Sequence, residues 1–175
     1  TGNLNVISTG GDIMQSSGTA ITTTGSTTLN ASNGSIPANI TLDGTNNDFN
    51  SIGVTGKNVN ITDKNGVDLN TSTISGTLGV TAGGDITQNG PLTVTGATTI
   101  DAGANNVTLN NANNDFSSIG VTGKNVSLND KNGVALNTSS ISGTLGVTAG
   151  GDVTQNGSLT VTGATTIDAG ANNVT

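Results

Sequence analysis

Cysteine, histidine, arginine, glutamate, tryptophan and tyrosine are absent from this 175-residue chain, and phenylalanine occurs only at Phe49 and Phe116. Each absence closes a class. Without Cys or His there is no ligand set for zinc, haem or an iron–sulfur cluster. A Ser–His or Cys–His nucleophile pair cannot be assembled. Four lysines, no arginine and a net charge of −7 argue against nucleic-acid binding. A helical protein draws on Glu, Arg, Gln and Leu, and here glutamine occurs only three times. No run of about 20 apolar residues is present, so no membrane-spanning helix is expected. With no disulfide to staple it, an extracellular form would have to be held by packing alone.

What remains is a narrow alphabet. Thr (32), Gly (27), Asn (26) and Ser (16) make up most of the chain, and the apolar residues are mainly Val, Ile, Ala and Leu. Small and β-branched side chains in this proportion favour strands and turns.

The strongest signal is an internal repeat. Residues 50–108 align without gaps to residues 117–175 at an offset of 67, with eight differences. Residues 2–49 carry a diverged earlier copy, in which GNLNVISTGGDIMQSSG echoes GTLGVTAGGDITQNG. The organisation is therefore one solenoid over residues 1–175: a diverged partial repeat (2–49), a full repeat (50–116) and a nearly complete one (117–175). The chain opens at Thr1 without the basic and apolar stretches of a signal peptide and stops in mid-repeat at Thr175. It reads as a piece of something longer.

A finer period lies inside each copy. Val54, Val67, Val80, Val94, Val107, Val121, Val134, Val147 and Val161 recur about every 13 residues, most in short apolar/polar alternations such as Leu92-Thr93-Val94-Thr95. Alternation at period two marks strands with one buried face. Turn signals separate them at Lys64-Asn65-Gly66, Gln88-Asn89-Gly90, Ala102-Gly103-Ala104-Asn105 and Lys131-Asn132-Gly133. The fold expected is all-β: a right-handed parallel β-helix of triangular cross-section, with about three rungs of about 22 residues per 67-residue repeat. The exact repeat favours a solenoid over a sandwich, because stacked rungs superpose identical residues. A two-strand rung of about 13 residues, five per copy, is the rival. One rung alone buries too little to hold itself, so stacking must supply the rest through backbone ladders and Asn, Thr and Ser columns. Val54, Val80, Val94, Val121, Val147 and Val161 should point inward, and Thr55, Thr81, Thr95, Thr122, Thr148 and Thr162 outward.

No residue is assigned a catalytic, cofactor-binding or metal-binding role, and no enzyme activity or cofactor is expected. All eleven acidic residues are Asp, most of them in or beside turns. Asp63 and Asp130 precede Lys-Asn-Gly, and Asp12, Asp85 and Asp152 follow Gly-Gly. The simplest reading is that each closes its own turn. Gly-Gly-Asp is also a fragment of a calcium-binding repeat, but Asp85 and Asp152 should lie about 14 Å apart if three rungs of about 4.8 Å intervene, too far to share an ion. A glycosidase carboxylate pair meets the same obstacle, and Asp68 becomes Ala135 in the next copy. Thr93-Val94-Thr95 and Thr160-Val161-Thr162 suit an ice-binding face, yet neighbouring segments read Gly120-Val121-Thr122 and Gly146-Val147-Thr148, which interrupts the outer rank. The sequons at Asn60, Asn106 and Asn125 are as frequent as this composition yields by chance.

With these residues in view, GTLGVTAGGDITQNG, LTVTGATTIDAGANNVTLNNANNDF and VTGKNVSLNDKNGVALNTS resemble repeats of filamentous-haemagglutinin-type exoproteins, with related repeats in autotransporter passengers. The resemblance covers essentially the whole chain. It implies a bacterial cell-surface or extracellular stalk, exported through an outer-membrane secretion pore and folding outside, that carries an adhesive or toxic tip toward another cell. Lateral or end-to-end self-association fits such a stalk. The alternative is a binding module that uses one flat face for ice or glycan.

Overall fold

The computed structural model describes residues 2–32 and 36–175. Among these residues are twenty short strands and no helix, all joined in a single sheet. Every strand-to-strand pairing is parallel, and an isolated bridge between Ser32 and Pro37 is antiparallel. The chain coils as a right-handed parallel β-helix of about eight turns, the hand expected of strand-to-parallel-strand connections.

Period-two patterning makes the strands and sets their faces. In Leu78–Ala82 the residues Leu78, Val80 and Ala82 are buried, while Thr81 is exposed. Val54, Val80, Val94, Val121 and Val147 are all buried in the axial core. Val161 is only half-buried, because its strand, Leu159–Val161, lies in the last turn. Thr81, Thr95, Thr122, Thr148 and Thr162 are exposed and Thr55 is half-buried. The core is a continuous file of Val, Ile and Leu, with Phe49 and Phe116 fully enclosed.

Three strand columns run along the coil, which excludes the two-strand rung. One passes through Leu4–Ile7, Thr22–Asn30, Asp48–Gly56, Val67–Leu69, Ile86–Gln88, Val107–Leu109, Val126–Asp130, Leu145–Ala149 and Thr165–Asp168. A second stacks Ile13 on Ile40, Val59, Leu78, Thr98, Ile119 and Leu136. A third carries Gly56, Ile74, Val94 and Phe116. Val59 pairs with Leu78 and Leu78 with Thr98. A turn of the coil is therefore about 20 residues, slightly shorter than the sequence period suggested.

The copies do not stack face on face. From Asp48–Gly56 the first column climbs three turns to Val107–Leu109. The sister strand Asp115–Gly123 is not in that column; Ile119, the copy of Ile52, pairs with Thr98 in the second. A copy thus makes three turns and one further strand, and the next copy is turned by one face. The cause is a strand that covers two. Ser51 and Ile52 pair with Asp68 and Leu69, while Thr55 and Gly56 pair with Thr73 and Ile74. Asp115–Gly123 divides in the same way between Val134–Leu136 and Ser139–Ile141. The three rungs expected per copy are present, and that one strand is added to them.

Candidate functional site

Three polar assemblies recur with the copies, and together they hold most of the groups that could carry chemistry. The first lies where a column ends. Phe49 N–H donates to Asp63 Oδ2 at 2.6 Å, and Asn65 N–H donates to Asp63 Oδ1 at 2.9 Å. Asp63 is buried because it continues the inward rank of Val59 and Ile61, and the residue stacked on it is Ala82. Beside it Lys64 Nζ lies 2.8 Å from Asp48 Oδ2, and Asn65 Nδ2 donates to Asp48 Oδ1. The second copy repeats this group with Phe116, Asp130, Asn132, Lys131 and Asp115. Asp63 and Asp130 do close their own turns, as expected, and they also cap the strand below.

Burial is the largest influence on Asp63 and Asp130 and pushes both carboxyls above their ordinary value, against the backbone N–H donors that favour the anion. Asp48 and Asp115 are held below the ordinary value, first by hydrogen bonds from Lys64 and Lys131. The two kinds of carboxylate therefore act oppositely on stability. The contribution of Asp63 falls as pH rises from an unfolded value near about 3.9 through its raised folded value. That of Asp48 is complete above about 3.9 and is lost as pH falls through its depressed value. Urea midpoints between about pH 3 and 7 should show Asp63→Asn gaining on wild type as pH rises, and Asp48→Asn losing to it. Variant curves that diverge from wild type in the same direction would contradict this assignment.

The second assembly is an amide pair. Asn47 donates through Nδ2 to Gln15 Oε1 (2.9 Å) and to the Leu42 carbonyl (3.2 Å), and its Oδ1 accepts from Ile21 N–H (2.8 Å) and Gln15 Nε2 (2.7 Å). Asn114 and Gln88 repeat the arrangement around Leu92 and Leu109. Both asparagines are fully buried. Nothing in the reading of the sequence singled them out. The available signal was their recurrence, since Asn47 returns as Asn114 and Gln88 as Gln155.

The third assembly runs along the outer corners. Asp12 Oδ1 accepts the Asn39 N–H (2.8 Å), Asn58 Nδ2 donates to Asn39 Oδ1 (3.0 Å), and Thr77 N–H donates to Asn58 Oδ1 (3.1 Å). Asp85, Asn106, Asn125 and Thr144 form the same ladder one copy on, and Asp152 with Asn173 begins another. Asp12, Asp85 and Asp152 therefore bond to the turn above and do not close their own, which corrects the simpler reading. Before Asp85 and Asp152 the Gly-Gly has a steric cause, which Gly10-Gly11 before Asp12 does not share. Gly83 and Gly84 lie directly on the Lys64-Asn65-Gly66 turn, where a Cβ on Gly84 would come 2.6 Å from Gly66 N and one on Gly83 would collide with the Lys64 carbonyl. Asp85 and Asp152 flank strands of different columns, Ile86–Gln88 and Val153–Gln155, so they do not line up along the coil.

The remaining candidates stay apart. Asp68 accepts hydrogen bonds from Thr87 Oγ1 and Asn89 Nδ2 at an exposed edge. The outward rank that holds Thr62, Thr81, Thr122 and Thr160 is broken by Asp101 and Ser140, and the adjoining rank of Asn60 and Thr99 by Gly79 and Gly120. Of the sequon asparagines, Asn106 and Asn125 are ladder members, while Asn60 faces solvent.

A family model described as "Repeats of unknown function (DUF5649)" matches residues 1–55, 56–122 and 123–175. Its middle match has the 67-residue period seen in the sequence. No curated protein and no solved structure matches the chain.

Proposed function

The chain belongs to this family of repeats of unknown function, and we propose that it is a length of structural shaft from a large bacterial surface or secreted adhesin, displaying a tip that lies elsewhere in the parent protein. One observation carries the reading. A single parallel sheet joins all copies, and at each junction the long strand stays laddered to strands below and above although the column through Phe49 or Phe116 ends there. Such a coil transmits length and stiffness at a constant increment per copy. The recurrent polar groups are consumed in holding turn to turn, which suits a spacer better than a binding face. The resemblance to filamentous-haemagglutinin-type repeats adds the setting: export through an outer-membrane pore and folding at the cell surface or beyond, where a chain without cysteine is stable by packing.

The test is a deletion of residues 50–116 in the parent protein. Cells should keep their adhesion, with only the reach reduced. Binding that falls in proportion to the copies removed would place the ligand site in the repeats and overturn the shaft.

A further inference from the structure

Asparagine followed by glycine is a chemically labile pair, because the glycine N–H has no neighbouring Cβ to hinder its attack on the asparagine carboxamide. The chain contains five such pairs. Asn65-Gly66, Asn89-Gly90, Asn132-Gly133 and Asn156-Gly157 lie among the described residues, and Asn33-Gly34 lies outside them. The glycines after Asn89 and Asn156 are required by the stacking, since a Cβ on Gly90 would collide with Thr71 and one on Gly157 with Thr138. All four described asparagines are exposed, Asn89 included, although it has turns both below and above it. Three of them are held. Asn65 Nδ2 donates to Asp48 and Asn132 Nδ2 to Asp115, each at 3.2 Å. Asn89 Nδ2 donates to the Asp68 carboxylate, which Thr87 Oγ1 also engages at 3.0 Å. Asn156 has no such acceptor. In its copy Asp68 is replaced by Ala135, and its carboxamide has no hydrogen-bond partner among the described residues.

A second of the eight differences between copies falls at the same corner. Pro91 follows Gly90, whereas Ser158 follows Gly157. Proline restricts the backbone of the residue before it, so Gly90 is fixed from one side and Gly157 is not. The two glycine N–H groups are otherwise held alike, by the Leu69 carbonyl at 3.4 Å and the Leu136 carbonyl at 3.2 Å. We propose that Asn156 is a modification site, where the chain converts spontaneously to aspartate and isoaspartate. Gly157 N gives its proton to solvent base and attacks Asn156 Cγ. The new C–N bond closes a succinimide as the Cγ–Nδ2 bond breaks and ammonia leaves. Water then opens the ring, giving aspartate by attack at the side-chain carbonyl and isoaspartate by attack at the main-chain carbonyl. Overall, water is consumed and ammonia released. Isoaspartate adds a methylene to the main chain between two N–H groups that both dock on the Leu136 carbonyl, so the corner must shift to keep them. The copy with Ala135 and Ser158 thus carries a slow chemical change that the copy with Asp68 and Pro91 resists.

The purified chain, aged at mildly alkaline pH and cleaved before aspartate, reads the four sites separately by mass spectrometry. Asn65, Asn89, Asn132 and Asn156 fall in peptides 63–67, 85–100, 130–151 and 152–167. Asn156 should convert at least about threefold faster than each of the other three, the factor by which an exposed charged contact holds a side chain. Ala135→Asp should slow Asn156 toward the rate of Asn89, and Asp68→Ala should speed Asn89, with circular dichroism unchanged in both. Ser158→Pro should slow Asn156 alone. Equal rates at Asn89 and Asn156 in the unaltered chain would overturn the proposal, as would an Asn156 rate that neither Ala135→Asp nor Ser158→Pro changes. If Ala135→Asp loses its strand signal, Asp68→Ala decides, and an unchanged Asn89 rate there would overturn the role of the carboxylate.

Discussion

Val121→Asp should destroy the cooperative unfolding of the coil, while Thr122→Lys, one residue away, should leave it nearly untouched. Val121 is 3% exposed and is paired with Ile100 in the axial core. A carboxylate placed there meets no cation and no donor, and a buried unpaired charge costs several kcal/mol, about 3–5 by comparison with broken buried ion pairs. In a stacked coil the damage reaches the turns on both sides, because no turn is stable alone. Thr122 faces solvent between Asp101 below and Ser140 above. A lysine there gains a carboxylate neighbour and should shift stability by no more than about 0.5 kcal/mol. Urea midpoints for the two variants provide the check, and equal tolerance would mean the faces have been assigned the wrong way round.

Asn114→Leu should be nearly as damaging, although it makes a buried position more apolar. The asparagine takes the Leu92 N–H at 2.9 Å, gives to the Leu109 carbonyl at 3.1 Å and pairs with the Gln88 amide. Leucine leaves the buried Leu92 N–H without its acceptor, at roughly 1–3 kcal/mol, and takes one further bond each from the Leu109 carbonyl and from Gln88, which keeps the Asn111 N–H. Asn113→Ala, at an exposed neighbour, should cost less than about 0.5 kcal/mol. The Leu92 amide should lose its protection from hydrogen exchange in Asn114→Leu and keep it in Asn113→Ala. Retained protection at Leu92 would mean that another group had taken the proton.

Particular residues show how far the sequence could be read. Val54 and Thr55, or Val121 and Thr122, declare their faces because a strand's side chains alternate and only one face is apolar. Lys64-Asn65-Gly66 declares a turn, and the repeat declares a solenoid. Those signals are local. The rotation between copies is not, since it depends on Ser51–Gly56 staying extended through two glycines, Gly53 and Gly56, that read equally well as a break. Equal sequences were expected to superpose and instead occupy successive faces. The amide pairs were hidden for a related reason: Gln15 meets Asn47 across 32 residues and Gln88 meets Asn114 across 26, and no spacing rule connects them. Gly83-Gly84-Asp85 resembled part of a cation motif because close approach of backbone to backbone demands the same glycines as close approach of backbone to an ion.

The most direct test of a continuous coil is the length of the purified chain lacking residues 50–116, measured by small-angle scattering. Removing one copy brings Ser117 to the place of Asn50, and every strand above should dock as its counterpart did. The variant should remain a folded rod, shorter by about 16 Å for three turns and one strand at about 4.8 Å per turn, whereas removing about 60 residues sets turns over strands and should unfold the junction. Loss of strand structure on removal of one whole copy, or a shortening of about 24 Å as five rungs would give, would contradict the account.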